Sequence, residues 1–196
     1  MFAFGNKHPY HEVVISTQIK CNNPIAIAVH DQRHYVVNAS KSATFIGSMR
    51  SGVGIPYDIT TKSDKPLADD FLGIIKQAME KAGNKLNIVL TRSGLSKDDV
   101  YSQLLKTGAT RSIYMDIREW KTDTYMKADL FCLVNLYVLN ENGEAIAETS
   151  VKANAEAYGG SFWNPKKAAR KGALKAVKLK LEALLNDKVI VKALES

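Results

Sequence analysis

Apolar residues between Pro66 and Gly83 recur at intervals of three and four positions, which is the spacing of one helix face. Pro66 suits a first helical turn, and Gly83 marks the end of the helix. Asp69 and Asp70 favour the positive N-terminal end of the helix dipole. The apolar face consists of Leu67, Phe71, Ile74, Ile75, Ala78, Met79 and Ala82. We therefore predict an amphipathic helix over this stretch.

Two further helices are predicted nearer the C-terminus. Ser96 to Lys106 begins with a capping serine, and Asp99 follows three positions later. Pro165 to Asn186 carries an apolar stripe made of Leu174, Val177, Leu181 and Leu184, flanked by Ala173 and Ala176. That stripe needs a hydrophobic partner elsewhere in the chain.

Short apolar runs and alternating runs predict the strands. They are Glu12 to Gln18, Pro24 to His30, Asn87 to Leu90, Ser112 to Lys121, Ala128 to Leu139 and Ala145 to Ala157. Strict alternation along the fourth places Ile117 on one face, with Arg118 and Trp120 on the other. Asn142 and Gly143 supply a hairpin turn between the last two strands.

The last predicted strand carries small residues on one face, and alanines leave a cavity unless a neighbour packs closely. The expected contact joins two sets of residues: Leu174, Val177 and Leu181 on the last helix, and Ala147, Val151 and Ala153 on the strand. The order of elements predicts an α/β (α+β) fold, with helices packed on a mixed sheet that ends in a three-stranded antiparallel meander and a C-terminal helix. Residues 12–196 are predicted to form this single domain, and residues 1–11 an N-terminal extension.

Residues 39–65 are predicted to form a long mobile loop, with one short strand before it at Tyr35 to Asn38. Within it, "FIGSMRSGVGIP" resembles a phosphate-binding loop in its glycine content. Such a loop needs a lysine and a serine or threonine after its last glycine, and a helix directly afterwards. Val53 and Gly54 occupy those positions, and the next predicted helix begins only near Pro66. We expect no bound nucleotide and no other cofactor.

The residues that carry catalysis or bind metals are sparse. His8, His11, His30 and His34 show no recognised ligand spacing, and no nucleophile motif is present. Cys132 lies within an apolar strand, and Cys21 lies in a polar stretch, so we expect two free thiols. The sequence therefore predicts a protein that is not an enzyme and holds no metal.

The net charge of +7 comes from one segment, Asn164 to Lys180, which holds seven basic residues and no acidic one. The other residues include 20 basic and 20 acidic side chains. Four lysines in the segment share one helical stripe: Lys167, Lys171, Lys175 and Lys178. The stripe fits a solvated helix flank, which we favour, or a surface that contacts nucleic acid or anionic lipid headgroups.

No apolar run reaches the roughly 20 residues of a membrane span, and none suits a signal peptide. The chain is therefore expected to be cytosolic, or to have a targeting segment outside this sequence.

The order of features resembles a family of bacterial envelope lipoproteins, the YajG-type and related uncharacterised ones. The resemblance is carried by Asp31 and Arg33 after an early strand, by "IGSMRSG" with Arg50, by "PLADDFLGIIKQAMEKAG" and by "ALLNDKVIVKAL". It implies a periplasmic domain tethered to the outer membrane through a lipid-bearing cysteine upstream. Cys21 does not fit that cysteine, because "QIKC" lacks the small apolar residues expected before it.

The resemblance also implies a binding or envelope-assembly role without catalytic residues, with an envelope protein or a lipid headgroup as partner. Asp31, Arg33 and Arg50 are then candidate loop contacts. The alternative is a cytosolic nucleic-acid-binding module that uses the basic C-terminal helix. The sequence leaves the oligomeric state open.

Overall fold

A mixed sheet of eight strands forms the centre of the computed structural model, which describes residues 6–51, 53–125, 128–159 and 165–195. The strands are β1 (Asn6–His8), β2 (Ile25–Asp31), β3 (Phe45–Arg50), β4 (Pro56–Thr61), β5 (Leu86–Val89), β6 (Arg111–Thr124), β7 (Ala128–Leu139) and β8 (Ala145–Gly159). The helices are α1 (His34–Val37), α2 (Leu67–Lys81), α3 (Lys97–Leu105), α4 (Pro165–Leu185) and α5 (Lys188–Glu195), with a 3-10 turn at Tyr10–Glu12.

The sheet branches at β6. One edge of β6 pairs in parallel with β2 over Arg111–Ile117 and with β3 over Thr122–Thr124, while its other edge pairs antiparallel with β7. The spatial order is β1-β4-β3-β6-β2-β5, with β7 and β8 continuing from β6 as an antiparallel meander. The predicted fold class, with its meander and C-terminal helix, is confirmed.

Helices cover the two faces of the sheet unequally. On one face α2, α4 and α5 bury the main core, in which Phe71 and Trp120 pack edge to face at 4.9 Å. On the other face α3 alone covers a smaller core that contains Tyr114. The capping box at Ser96 and Asp99 is present as predicted. None of the described helices is both long and apolar enough to span a membrane.

The predicted packing of α4 on β8 is confirmed. Val177 and Leu181 are fully buried in the same cluster as Ala147, and the half-buried Leu174, Val151 and Ala153 pack against it. The predicted alternation fails further along β8, because Ala155 has a positive φ of 58° and the register with β7 shifts nearby. The small side chains beyond Ala153 are consequently exposed.

A bulge in β6 overturns a second predicted alternation. The register with β7 shifts between Ile117 and Glu119, so one extra residue, Arg118, is inserted there. Trp120 therefore joins Ile117 in the main core, where it is fully buried, instead of facing the opposite side.

The stretch predicted as a strand at Glu12 to Gln18 lies outside the sheet. Its backbone is held by side chains of α4 and of the residue that follows it, instead of by another strand. The Ser16 N–H donates to Glu182 Oε1 at 3.0 Å, and the Gln18 N–H donates to Asn186 Oδ1 at 2.8 Å. Asn186 Nδ2 in turn donates to the Ser16 carbonyl at 2.9 Å. Amide and carboxylate groups thus supply hydrogen bonds that a neighbouring strand would otherwise provide.

The long loop predicted at 39–65 contains two strands, β3 and β4, so this prediction is wrong for those residues. Gly47 lies in β3, where the backbone approaches β6 closely. A side chain does not fit at this position, because a Cβ there would lie 2.1 Å from Thr122 Oγ1. The glycine permits this close approach of β3 to β6. The predicted short strand near Tyr35 is helix α1, and α5 was not predicted.

The predicted N-terminal extension also takes part in the fold from residue 6 onwards. β1 pairs in parallel with β4, with His8 opposite Thr61. Tyr10 in the following turn is fully buried and packs against Phe71. These residues close one end of the main core.

Candidate functional site

The crossover connections of β2 and β5 leave the sheet on opposite faces. The chain after β2 reaches β5 through α2, whereas the chain after β5 reaches β6 through α3, and the two helices lie on different faces. β2 and β5 are parallel neighbours, so both carboxyl ends lie at the same edge of the sheet. Open α/β sheets form their ligand crevices at such points.

A cleft of about 620 Å³ lies at this edge. The end of β2 contributes Asp31, the start of α2 contributes Pro66, Ala68 and Asp69, and the loop after β5 contributes Leu90 to Ser93, with Ala43 completing the lining. Its volume is within the usual range of small-molecule sites. The cleft could not be predicted from the sequence because its three segments are far apart in the chain. The available signal was a polar turn, "TRS", directly after a short apolar strand.

Asp31 and Arg33 form a buried ion pair behind this cleft. Arg33 Nη2 lies 2.6 Å from Asp31 Oδ2, and Arg33 Nε lies 2.8 Å from Asp31 Oδ1, which makes the contact bidentate. Arg33 is fully buried, and its remaining N–H groups donate to the carbonyls of Ala43, Phe45 and Trp120. This burial contradicts the expectation that Arg33 contacts a partner directly. The pair fixes the end of β2 to β3 and β6.

Arg50, the third predicted loop contact, lies apart from this ion pair at the end of β3. Its Nη2 lies 3.1 Å from Asp123 Oδ2, and about half of its side chain is exposed. It is not a lining residue of the cleft. The structure therefore brings Asp31 and Arg33 together and leaves Arg50 elsewhere.

A buried polar network lies on the opposite face of β2. His30 Nε2 is 2.7 Å from Gln32 Nε2, and His30 Nδ1 is 3.0 Å from Tyr114 Oη. Gln32 Nε2 also donates to the Leu95 carbonyl, so it is the amide nitrogen and the donor to His30. With the Gln32 amide in this orientation, His30 Nε2 accepts the hydrogen bond and the ring hydrogen lies on Nδ1. Burial lowers the pKa of His30, which agrees with a neutral ring.

Asp116 extends this network across the sheet. It lies opposite His30 on β6, and Arg118 Nε donates to its Oδ2 at 2.6 Å. Its Oδ1 is buried and has no partner among the described residues, as is also true of the hydroxyl of Tyr101. Burial raises the pKa of Tyr101 to about 12, so the phenol stays protonated. Both ring nitrogens of His30 are engaged, and the network anchors the loop that follows β5.

The four predicted lysines do lie on one exposed stripe of α4, but none of them lines the cleft. Lys167, Lys171, Lys175 and Lys178 share the flank of the helix that carries Glu182. Lys178 Nζ is 4.0 Å from Glu182 Oε1, the carboxylate that holds Ser16. The end of the stripe therefore borders the N-terminal segment of the chain.

The two cysteines are both free thiols, as predicted. Cys132 is buried, and burial raises its pKa to about 11. Cys21 is half-buried and its Sγ donates to the Leu194 carbonyl at 3.0 Å. Among the described side chains, no group of three or more His, Cys, Asp or Glu residues is arranged to hold a metal ion.

No family model matches the sequence, and no curated protein matches it. Among solved structures, the chain is similar to protein XCC0632 from Xanthomonas campestris, assigned to the family DUF330. The identity is 10%, the TM-score is 0.57, and the match covers 92% of this chain and 94% of that one. At this identity the likeness shows a shared fold.

Two other solved structures are similar at lower scores. PelC from Paraburkholderia phytofirmans, solved as a dodecamer, has 11% identity and a TM-score of 0.43, covering 88% of this chain and 95% of that one. Lipoprotein GNA1162 from Neisseria meningitidis has 10% identity and a TM-score of 0.30, covering 66% of this chain and 80% of that one. Scores this low support no conclusion about function.

Proposed function

We propose that this chain is a non-catalytic binding domain of a bacterial envelope lipoprotein. In this proposal a lipid anchor upstream of the domain tethers it to the outer membrane on the periplasmic side, and the cleft at the ends of β2 and β5 binds an envelope component. The family resemblance described above supports the compartment. The cleft supports the binding role, and it is the observation on which the proposal rests.

The inner wall of the cleft is fixed by contacts within the fold. Asp31 is held by Arg33, and Thr91 Oγ1 donates to the Val29 carbonyl at 2.6 Å. These groups orient the loop after β5 and are engaged with other parts of the chain. A preformed wall lowers the entropic cost of binding, because little needs to be ordered when a ligand arrives.

The rim of the cleft offers the groups that remain accessible. Leu90 is 70% exposed, and Arg92 is exposed beside it. An exposed leucine next to a cation suits a ligand with an apolar part and an acidic group. Burial raises the pKa of Asp69 on the facing helix.

Fractionation of the native cells tests the compartment. The proposal expects the protein in the membrane fraction, released by detergent but not by high salt, because a lipid anchor does not depend on charge. Recovery in the soluble cytosol would contradict it and favour the nucleic-acid-binding alternative.

Photo-crosslinking tests the cleft. A photoreactive residue replaces Leu90 in the cleft or, as a matched control, Leu179, which is 53% exposed on α4. We expect a discrete adduct in native envelopes from position 90 and not from position 179, and we expect Arg92→Glu to abolish it. Equal adducts from both positions would contradict binding in the cleft.

A further inference from the structure

The outer edge of β8 is a long, open strand edge. β8 has 15 residues and, of the described strands, pairs with β7 alone. Among the described residues, no backbone hydrogen bond outside that pairing involves β8. The free N–H and C=O groups of such an edge form a template for another strand.

Register shifts interrupt the pairing of β8 near each end of this edge, and none lies in its middle. The register with β7 shifts at the start of β8, around Ile146, and again near Ala155, whose φ is 58°. Between them, Ala147 to Ala153 pair with β7 in unbroken register. A bulge bends the strand and hinders pairing of its free edge with another strand. The regular stretch is long enough to accept an extended peptide segment.

A groove of about 530 Å³ lies at the start of this regular stretch. Its lining consists of Ile146, Ala147, Lys188, Val189, Lys192 and Ala193. Ile146 is 43% exposed and Val189 is 55% exposed, so the groove presents apolar surface to solvent. Lys188 and Lys192 are exposed and form no ion pair with any other described residue. The groove thus combines an apolar floor with two cations.

We propose that this surface binds an extended segment of a partner protein, which adds to β8 as a further strand. The segment carries a large apolar side chain that fills the groove and acidic side chains beside it that meet Lys188 and Lys192. Main-chain hydrogen bonds to β8 hold the segment, and the groove selects its side chains, as in other strand-addition complexes. The β8 surface shares no residue with the cleft, so it is a separate interface.

A second copy of this chain is a poorer occupant. In a two-fold pairing centred on Ser150, the groove at Ile146 would face Asn154 of the other copy, with small alanines on both sides of it. Those alanines cannot fill the groove, and the only opposite charges that this pairing brings together, Lys152 and Glu148, leave Lys188 and Lys192 without acidic partners. The geometry therefore favours a partner of different, acidic sequence.

The experiment uses a capped, fluorescent peptide of about seven residues in which a central phenylalanine and the glutamates two positions to either side of it share one strand face, with threonine between them, and a matched peptide with lysine for glutamate. We expect the acidic peptide to bind, measured by anisotropy, and the basic one to bind at least about tenfold more weakly. The double variant Lys188→Glu, Lys192→Glu is expected to reverse that preference. Lys171→Glu, Lys175→Glu, with the same charge change on α4, is the control and should keep it.

Amide hydrogen exchange distinguishes strand addition from simple occupation of the groove. The bound acidic peptide is expected to protect alternate amides of Ala147 to Ala153, because only alternate N–H groups point to the free edge. Failure of the acidic peptide to bind at millimolar concentration would overturn the proposal, as would binding without that protection. The proposal would also be overturned if the α4 control variant lost as much binding of the acidic peptide as the variant at Lys188 and Lys192. Binding of phosphatidylglycerol vesicles that depends on Lys188 and Lys192, without peptide binding, would replace it with a membrane contact.

Discussion

Arg33 is fully buried, and all five of its N–H groups are hydrogen-bonded. Two donate to the carboxylate of Asp31, and three donate to main-chain carbonyls of Ala43, Phe45 and Trp120. A buried cation is tolerated only when its charge and its donors are both matched. No lysine reproduces this planar arrangement of donors. The residue therefore stabilises the fold at the end of β2, and all of its donors are engaged within the chain.

Replacement of Arg33 tests this structural role. Arg33→Met leaves Asp31 buried without its counter-charge, so we expect the free energy of unfolding to fall by about 3–5 kcal/mol. Urea denaturation measures the change. Arg50→Met removes an exposed pair with Asp123 and should cost less than about 1 kcal/mol. Similar losses of stability in the two variants would show that the buried ion pair of Arg33 stabilises the fold no more than the exposed pair of Arg50.

His8 is the second residue with an unusual environment. It is fully buried on β1, and neither ring nitrogen has a hydrogen-bond partner among the described residues. Burial, with a smaller contribution from the nearby positive charge of Arg170, lowers its pKa to about 4. Between that value and the ordinary 6.5, the unfolded chain binds a proton that the folded chain does not. Stability contributed by this group is therefore lost as the pH falls through that window.

Replacement of His8 should make the protein less sensitive to acid. We expect His8→Phe to lose about 2 kcal/mol less stability than the parent between pH 7 and pH 5. Urea unfolding at both pH values measures the difference. His11→Gln, at a half-exposed histidine, is the control and should follow the parent. A His8→Phe profile parallel to that of the parent would mean that His8 titrates normally in the folded state.

At the scale of elements, two glycines within helices have opposite surroundings. Gly172 lies where α4 crosses the end of β8, and a Cβ there would be 2.3 Å from the carbonyl oxygen of Tyr158. Gly73 lies on the exposed side of α2, where a Cβ would meet nothing within 4 Å. The first glycine sets how closely α4 approaches β8, whereas the second only weakens its helix.

The same substitution at both glycines should have opposite effects. We expect Gly172→Ala to destabilise the protein by about 1–3 kcal/mol, because α4 must move away from β8. Gly73→Ala should stabilise it by roughly 0.5–1 kcal/mol through helix propensity. Thermal or urea unfolding of the pair decides this. A stabilised Gly172→Ala would contradict the close crossing of α4 and β8.

At the scale of the whole molecule, the charge is concentrated on one element. The net charge of +7 matches the seven basic residues between Asn164 and Lys180. The fold places Glu182 at the end of the lysine stripe and uses Glu156 of β8 to bind Lys180 at 2.6 Å. Part of the positive charge is thus balanced by contacts within the domain, as expected for a solvated helix flank.

Charge removal from the stripe tests this interpretation. The variant with glutamine at Lys167, Lys171, Lys175 and Lys178 is expected to fold normally. We expect the parent to bind nucleic acid no more tightly than roughly 10⁻⁵ M at physiological salt. Fluorescence anisotropy over a salt series measures this. Tight binding with a log–log salt slope of about −3 to −4, lost in the variant, would favour the nucleic-acid-binding alternative.

The sequence by itself determined the elements whose signals are local. α2 and α3 follow from apolar spacing and capping residues a few positions apart, and the bounds of β7 match the predicted strand. Such patterns report which face of an element is buried. They also sufficed for the fold class, because the order of helices and strands restricts how the layers pack.

The tertiary structure alone decided features whose causes lie far away in the chain. The local sequence around Gly47 predicts a loop, and only the close contact with Thr122 of β6 explains the glycine. The local sequence around Ser16 predicts a strand, but in the fold Glu182 takes the place of a neighbouring strand. The cleft joins three separate segments at the ends of β2 and β5. In each case the partner is remote in sequence, so local pattern carries no information about it, and only packing brings the two together.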